Sequence, residues 1–396
     1  MIQYIRKSRI YLLGGMLLLS LLNGCGLATH HEEMQDAAIS KLFAMPAAAS
    51  INSNSAIQWS TQCRNWFDNN LLRSGFNGGM LVAKGGNVIF EAYSGFGHLN
   101  RKDTVNINTP FHIASVSKTF TAMSVLKLWQ DQLINLDDLF VKYFPEFNYP
   151  GITIRSLLNH RSGLPNYVYF MEDLGWDTHK FITNQDVLNT LVQRKSDIKN
   201  IEKPNSHFTY CNTNYALLAL LIEKVSHLPY PEYLKKNIFE PMQMKNSFVF
   251  TSADSSRTTP SYDWRGVEQA FTYQDKVYGD KNIFSTVEDL YKWDRLLSTD
   301  QFLKPHILEE AYKPYSNEKA GIRNYGLGWR MYKFPDGYQI IYHNGWWHGN
   351  NAVFIRMIKE DATIILLGNR YNRNIYRARD LMTLFNAHIG ESEGEE

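Results

Sequence analysis

The sequence has little of what disulfide-bonded or metal-dependent proteins need. Only three cysteines occur in 396 residues, Cys25, Cys63 and Cys211, and no two of them form a C-x-x-C pair. Neither a disulfide framework nor a zinc site is therefore indicated. The H-E-x-x-H, EF-hand, Rossmann and P-loop patterns are also absent, so the sequence predicts no metal and no cofactor. G-x-S-x-G is missing as well, which argues against an α/β-hydrolase.

The chain also lacks an excess of charge of either sign. It has 41 basic and 39 acidic residues, and three of the basic ones, Arg6, Lys7 and Arg9, precede the first apolar run. Such a balance gives no electrostatic footprint for nucleic acid, which is not expected as a partner. A hydrophobic fraction of 44% in a chain of this length allows a large core. Aromatic residues make up 14%, which fits core packing and leaves open a groove facing carbohydrate or peptide.

Residues 1–25 are typical of an export signal. The basic residues precede an apolar run over residues 10–22, which is shorter than the roughly 20 residues of a membrane span. The run ends in L-N-G-C, which resembles a bacterial lipobox, although Asn23 departs from the usual Ala or Ser. The lipobox predicts that Cys25 is lipidated and anchors an exported cell-envelope lipoprotein, periplasmic or at the surface, to the membrane. Ordinary cleavage and an uncleaved anchor are the alternatives.

The ends of the remaining chain look unstructured, and the middle looks like one domain. Residues 26–55, which end in S-I-N-S-N-S, predict a flexible tether. Residues 390–396, G-E-S-E-G-E-E, predict a disordered acidic tail. The domain between them covers residues 56–389.

Apolar spacing within the domain predicts an α/β (α+β) fold. A hairpin is expected around the turn at residues 85–87, and helices are expected over 115–133, 214–225 and 374–388. Strands are expected over 328–334, 338–343, 352–358 and 362–367. The prediction is therefore an antiparallel sheet built from both chain ends and flanked by helices, with a mostly helical lobe inserted between them.

Four serines begin an S-x-x-K pattern, and only Ser115 has the context of a nucleophile. Apolar residues 111–114 lead into it and helical spacing starts there, so free backbone N–H groups should lie beside its oxygen. Lys118 lies about one turn further along the same face. A lysine shielded from water at that place is suited to act as the base. The other three serines lie mid-helix or in charged stretches.

Two further patterns supply partners for such a serine. Tyr210 and Asn212 form a Y-x-N pattern in a loop before the buried helix, where a phenol can relay protons and an amide can hold Lys118 or a substrate carbonyl. His343 and Gly345 form an H-x-G pattern at the end of a strand, where the glycine allows a substrate backbone to approach closely. His160 is interpreted as a loop histidine with a structural role.

These patterns resemble one family when they are taken together with four further motifs. The motifs are L-L-N-H-R-S-G-L-P at 157–165, G-D at 279–280, S-T-V-E-D at 285–289 and Y-G-L-G-W at 325–329. The sequence is similar to the serine β-lactamase and penicillin-binding-protein superfamily, on the class C side, with esterase and D-aminopeptidase relatives. The resemblance covers about residues 59–388. It implies a β-lactamase/transpeptidase-like fold, and a serine hydrolase domain at 56–389.

The resemblance also implies roles. Ser115 would attack the carbonyl, Lys118 and Tyr210 would move protons, and Asn212 would bind Lys118 and the substrate amide. The backbone N–H groups of Ser115 and Trp346 would form the oxyanion hole. His343 departs from the pattern, because it stands where β-lactamases and carboxypeptidases have the lysine of K-T-G.

The departure at His343 orders the expected functions. Histidine is mostly neutral at pH 7 and is a weaker partner for a carboxylate than lysine. A hydrolase of small-molecule or peptide substrates, esterase- or D-aminopeptidase-like, is therefore expected ahead of a D-Ala-D-Ala carboxypeptidase, and a β-lactamase comes third. A non-catalytic cell-envelope binding or sensor protein with the same fold is the alternative of another class.

Overall fold

The structure, a computed structural model, describes residues 42–386. The predicted signal, Cys25, most of the predicted tether and the acidic tail lie outside the described residues. Within residues 42–386 no helix has the length and apolarity that crossing a membrane requires.

A seven-stranded antiparallel sheet forms the centre of the domain, with strand order β2-β1-β12-β11-β10-β9-β8. Two short sheets, β3-β7-β4 and β5-β6, lie outside it. The twelve strands among the described residues are β1 (Gly78–Lys84), β2 (Asn87–Ser94), β3 (Phe111–His112), β4 (Phe248–Val249), β5 (Ser261–Tyr262), β6 (Glu268–Gln269), β7 (Ile283–Ser285), β8 (Arg323–Tyr325), β9 (Arg330–Lys333), β10 (Gln339–Trp347), β11 (Asn350–Met357) and β12 (Ala362–Gly368).

Helices cover both faces of this sheet, and all the described α-helices except α1 lie between β3 and β8 in the sequence. The α-helices are α1 (Ser53–Asn70), α2 (Ser117–Gln130), α3 (Ile154–Leu158), α4 (Tyr167–Asp173), α5 (Asn184–Gln193), α6 (Asn212–Ser226), α7 (Tyr230–Leu234), α8 (Val287–Leu297) and α9 (Pro305–Ala311). Single 3-10 segments cover Leu72–Ser74, Ala114–Val116, Phe140–Lys142, Ser252–Asp254 and Arg373–Leu384, and Lys235–Phe239 is a π-helical turn.

The sheet joins the two ends of the chain, as predicted. β1 pairs with β12 along its whole length, from Gly78 opposite Gly368 to Lys84 opposite Ala362. The first hairpin closes through Gly85 and Gly86, whose φ values of 57° and 76° favour glycine. Every residue of β12 is buried, because helices pack on both faces of the sheet. The predicted fold class, with its inserted helical lobe, is confirmed.

Two hydrophobic cores lie on opposite faces of the sheet. The larger core contains α2 and α6 and extends through the helical lobe. Helix α6 is buried over its first eleven residues apart from Asn212, in line with its nearly uniform apolar sequence. The smaller core packs α1 and the C-terminal 3-10 segment against the other face. Helix α2 and the loop before α6 are thereby held side by side, and these two elements carry the predicted site.

Three expectations differ from the structure in detail. The last helix is a 3-10 segment, Arg373–Leu384, rather than an α-helix over 374–388. The helix expected from Ser115 begins with a separate 3-10 turn. Residues 42–52, expected to belong to the tether, lie against the domain, where Phe43 donates its N–H to Pro241 O and Ala49 donates to Gly85 O.

Candidate active site

The turn that carries Ser115 is held in an unusual backbone conformation. Ala114 has φ of 48°, which a residue with a Cβ seldom adopts. Its N–H donates to His112 Nδ1 at 3.1 Å, and His112 Nε2 lies 2.9 Å from Asn282 Oδ1. Burial lowers the pKa of His112 to about 4, so the ring is neutral and Nε2 carries the hydrogen. This neutral histidine therefore fixes the turn directly before Ser115.

Lys118 lies one turn beyond Ser115 and is fully buried. Its Nζ is 3.2 Å from Ser115 Oγ, 2.8 Å from Asn212 Oδ1 and 2.8 Å from the backbone oxygen of Asp280. All three partners are neutral groups. In the amine form two hydrogens of Nζ point to Asn212 and Asp280, and the lone pair is left for the hydroxyl of Ser115.

Tyr210 lies directly over this amine. The Nζ of Lys118 is 4.9 Å from the centre of the Tyr210 ring. The hydroxyl of Tyr210 is buried and has no hydrogen-bond partner among the described residues. A buried hydroxyl without a partner is uncommon and unfavourable, so its free hydrogen and lone pairs are available to a reacting group.

The backbone of Asp280 is a contact that sequence reasoning missed. Gly279 allows the backbone before Asp280 to pack closely against α6, because a Cβ at Gly279 would lie 2.4 Å from Tyr215 O. The Asp280 carboxylate accepts from the hydroxyl of Tyr167 at 3.0 Å and pairs with Lys281 at 3.1 Å. In the sequence the G-D pair at 279–280 is recognisable only as part of the family resemblance, because a backbone acceptor leaves no side-chain signal.

β10 passes next to the nucleophile turn at Gly345. A Cβ on Gly345 would lie 2.4 Å from Ile113 O and 3.1 Å from the Cβ of Ala114. The position therefore needs glycine because the nucleophile turn packs against it. The approach of a substrate backbone was instead expected from the sequence. Trp346, the next residue, is 63% exposed.

His343 is fully buried, although it was expected at the substrate-facing position of the H-x-G pattern. Its Nδ1 lies 2.8 Å from Asn344 O and its Nε2 lies 3.3 Å from the hydroxyl of Tyr325. The same hydroxyl lies 3.2 Å from His160 Nε2. His343 therefore belongs to a buried hydrogen-bond chain behind the site and shows no surface to solvent.

The donor at one end of this hydrogen-bond chain and the acceptor at the other end fix the direction of each hydrogen bond between them. The N–H of Cys211 donates to His160 Nδ1 at 3.1 Å, so His160 carries its hydrogen on Nε2 and donates to Tyr325. Tyr325 in turn donates to His343, whose Nδ1–H donates to the Asn344 carbonyl. Burial, reinforced by nearby cationic groups, holds the pKa of both histidines well below the ordinary value. His160, interpreted as structural, thus links the Y-x-N loop to β10.

Arg330 is a second residue that sequence reasoning missed. It lies on β9 opposite Tyr342, and its guanidinium carbon is 4.9 Å from the centre of the Tyr210 ring. Among residues 42–386 no carboxylate pairs with it. A basic residue on a short strand gives no sequence signal, because its proximity to Tyr210 arises only when β9 pairs with β10.

The structure brings Ser115, Lys118, Tyr210 and Asn212 into one cluster and places Gly345 against its turn. His343 lies behind the cluster, and Cys25 is outside the described residues. No group of His, Cys, Asp and Glu within the described part of the chain is arranged to hold a metal ion.

Comparisons with known proteins show which family the chain resembles. The profile of the Beta-lactamase family matches residues 67–388. Penicillin-binding protein 4* of Bacillus subtilis (strain 168) is 32% identical over 312 residues, which are 74% of this chain and 68% of that protein. Protein flp of Staphylococcus aureus (strain MW2) is 25% identical over 309 residues, and the matched part spans 73% of this chain and 59% of that protein's length.

Solved structures share the fold at lower identity. The octameric penicillin-binding protein homologue from Pyrococcus abyssi superposes with a TM-score of 0.71 at 23% identity, covering 85% of this chain and 78% of that one. The D-amino acid amidase from Ochrobactrum anthropi SV3 gives a TM-score of 0.66 at 20% identity, covering 85% and 100%. With a family match across most of its length, this chain belongs to the β-lactamase family, among homologues of the penicillin-binding proteins.

Proposed function

We propose that this protein is a serine hydrolase that cleaves an ester or amide through an acyl-enzyme on Ser115. The observation that carries the proposal is the position of Lys118 Nζ, 3.2 Å from Ser115 Oγ and held there by two neutral acceptors. A nucleophilic serine needs a base within hydrogen-bond reach and a third group that orients the base. Lys118 supplies the first requirement, and Asn212 with the Asp280 carbonyl supplies the second.

The proposed reaction has two acyl transfers. Lys118 takes the proton of Ser115 as Oγ bonds to the substrate carbonyl carbon, and the hydroxyl of Tyr210 passes a proton to the departing alcohol or amine. Water then attacks the acyl-enzyme and gives a proton to the Tyr210 phenolate, while Lys118 returns its proton to Oγ as the acyl group leaves. The unpartnered hydroxyl of Tyr210, whose ring lies against the Lys118 amine, supports this relay.

The backbone provides the proposed oxyanion donors. Ser115 is the second residue of a 3-10 turn, where N–H groups have no acceptor within the helix. β10 and β11 are joined by a two-residue hairpin whose closing pair is Trp347 and Asn350. Trp346 belongs to the next pair, one residue further from the turn. Because hydrogen-bonded and non-hydrogen-bonded pairs alternate, the N–H of Trp346 is expected to point away from β11, towards the nucleophile turn.

A second candidate function follows from Arg330. Its guanidinium lies against the ring of Tyr210 without a carboxylate partner among residues 42–386, and guanidinium groups bind carboxylates in pairs of parallel hydrogen bonds. We therefore propose that Arg330 can take over the cationic role that His343, buried and neutral, does not fill. This favours substrates with a free carboxylate, as in a D-Ala-D-Ala carboxypeptidase, more than the sequence alone suggested.

The Arg330→Gln variant tests this candidate. For an acyl-D-alanyl-D-alanine substrate we expect kcat/KM to fall by about 10- to 100-fold, the range of one charge-assisted hydrogen bond. For the matching C-terminal carboxamide we expect little change. Equal losses on both substrates would show that Arg330 only supports Tyr210.

Export and anchoring are further proposals that rest on residues 1–25. We propose that Cys25 is lipidated and holds the domain at the cell envelope. Metabolic labelling with a fatty-acid analogue, compared between wild type and Cys25→Ser, should show incorporation that the variant loses. Equal labelling of both proteins would rule out Cys25 as the anchor.

Labelling with a fluorophosphonate probe tests the serine itself. The probe should modify wild-type protein at Ser115, as located by peptide mass mapping, and should not modify Ser115→Ala. Ser124→Ala is the matched control, since Ser124 begins the second S-x-x-K pattern on the same helix and is fully buried. Absence of labelling in a folded sample, together with no turnover of nitrophenyl esters, would favour the non-catalytic binding protein.

A further inference from the structure

A cavity lies beside the candidate site, where β10 turns into β11. It has a volume of about 350 Å³, and its wall includes His112, Tyr262, Trp347 and Asn350. This volume is near the lower end of the range for small-molecule sites, enough for one group the size of a sugar or an amino acid.

The cavity adjoins the nucleophile turn through two of its wall residues. His112 accepts the N–H of Ala114, directly before Ser115. Trp347 follows Trp346, the proposed oxyanion donor, on β10. A substrate whose carbonyl lies between Ser115 and Trp346 has this cavity within reach.

Asn350 lines this cavity and carries an acceptor that no described residue uses. The side chain is 3% exposed, and its Oδ1 has no hydrogen-bond partner among the described residues. Burial of an acceptor without a donor is unfavourable, and native proteins seldom keep such a group without a ligand or water for it. A bound N–H or O–H would satisfy Asn350.

Two hydroxyl groups in the same wall present donors. Ser261 Oγ accepts the N–H of Gly349 at 2.7 Å, and Tyr262 Oη accepts the N–H of Leu99 at 3.1 Å. No residue within 42–386 accepts the hydrogen of either hydroxyl. Each group is thus oriented by the backbone and still has its own hydrogen to donate.

The buried charges around the cavity are already paired. Asp275 lies 3.0 Å from His348 Nε2 and also accepts the indole N–H of Trp347. These contacts, against the opposing effect of burial, keep the pKa of Asp275 at about 2. Phe271, which also lines the cavity, adds an aromatic surface. Arg101 and Glu268 also line the cavity, but both are exposed and carry opposite charges, so its buried wall suits a neutral group with one donor and one acceptor.

We propose that this cavity is a subsite for a neutral secondary amide in the acyl part of the substrate. The amide N–H would donate to Asn350 Oδ1, and its carbonyl would accept from Ser261 or Tyr262. This inference rests on the proposed acyl-enzyme, because the acyl part is what remains on Ser115. An acetamido sugar and a peptide both carry such an amide, and the experiment separates them.

The test compares nitrophenyl esters of acetic acid, N-acetylglycine and N-acetylglycylglycine. Wild-type kcat/KM should be higher for at least one amide-bearing ester than for the acetate. In Asn350→Leu the ratio of these constants should fall by about fivefold, the effect of one hydrogen bond. The Tm should stay the same or rise, because the variant removes an unsatisfied acceptor.

Asn351→Leu is the matched control on the neighbouring residue. The side chain of Asn351 donates to Tyr376 and accepts from the N–H of Asn372, so its loss should lower the Tm and leave the ratio unchanged. An unchanged ratio in Asn350→Leu, or a fall in its Tm equal to that of Asn351→Leu, would overturn the proposal.

Direct binding to Ser115→Ala gives a readout that does not depend on turnover. N-acetylglucosamine and N-acetylglycinamide are titrated against this variant, with and without Asn350→Leu, and binding is followed by NMR. Binding of the sugar alone identifies a carbohydrate source, and binding of the glycinamide alone identifies a peptide source. Binding of neither refutes the subsite, while fluorophosphonate labelling of wild type at Ser115 would still support the hydrolase.

Discussion

Removal of one hydroxyl group, in Tyr325→Phe, should destabilise the protein through the two histidines that it joins. The hydroxyl accepts from His160 Nε2 at 3.2 Å and donates to His343 Nε2 at 3.3 Å. Tyr325 and both histidines are almost completely buried, so water has little access to replace these bonds. Each unsatisfied buried group costs about 1–3 kcal/mol, and with two such groups we expect the free energy of unfolding to fall by about 2–4 kcal/mol.

Urea unfolding followed by fluorescence measures this change, and Tyr291→Phe is the matched control. The Tyr291 hydroxyl donates to Gly86 O at 2.6 Å, where the acceptor is half-buried and open to water. Its loss should cost about 1 kcal/mol. Because His160 holds the N–H of Cys211, Tyr325→Phe should also slow probe labelling of Ser115, whereas Tyr291→Phe should not. Equal destabilisation by both variants, with equal labelling rates, would refute the proposed chain.

Three further predictions follow from buried contacts of the site. Gly345→Ala places a Cβ 2.4 Å from Ile113 O, so we expect about 1–3 kcal/mol of destabilisation by urea unfolding and slower labelling of Ser115; a variant as stable as wild type would show that the turn can move away. The pKa values of His112, His160 and His343 are lowered on folding, so the unfolded chain binds more protons than the folded one. The free energy of unfolding should therefore fall as the pH drops below about 6.5, by up to about 4 kcal/mol per pH unit for the three together. Flat urea midpoints between pH 7 and 5 would contradict this. Replacement of His112 by Gln, which keeps a side-chain acceptor, should flatten part of that slope at little cost to stability at pH 7.

Much of the fold could be predicted because local signals and tertiary structure agree in it. The Gly85-Gly86 turn lies between two strand-like segments, and the nearly uniform apolar sequence of residues 214–225 predicted a buried helix. The C-terminal 3-10 segment was missed because its apolar spacing is helical, and spacing does not distinguish hydrogen bonds to the third residue from those to the fourth.

The site was predictable only where side chains follow one another at fixed spacing. Ser115 and Lys118 lie one helical turn apart, so their proximity is local. The Asp280 carbonyl and Arg330 reach the cluster from distant segments, and no residue pattern encodes that approach. His343 was expected to face substrate because its position at the end of a strand was clear. Its ring is instead buried and hydrogen-bonded to Tyr325 and to the Asn344 carbonyl, and the sequence pattern does not show these contacts.

The most direct test of the account is the detection of an acyl group on Ser115 and its dependence on Lys118. Wild-type protein and Lys118→Met, which keeps most of the buried side-chain volume, are mixed with a nitrophenyl ester, quenched in acid within milliseconds to seconds, and weighed as peptides. In wild type we predict an added acyl mass on the peptide that contains Ser115. In Lys118→Met, with circular dichroism unchanged from wild type, this mass should be lost or appear at least 1,000-fold more slowly. The reason is that one activating base accounts for about 10²–10⁴-fold in rate. An acyl group on another residue, or equal acylation of Ser115 without Lys118, would contradict the account.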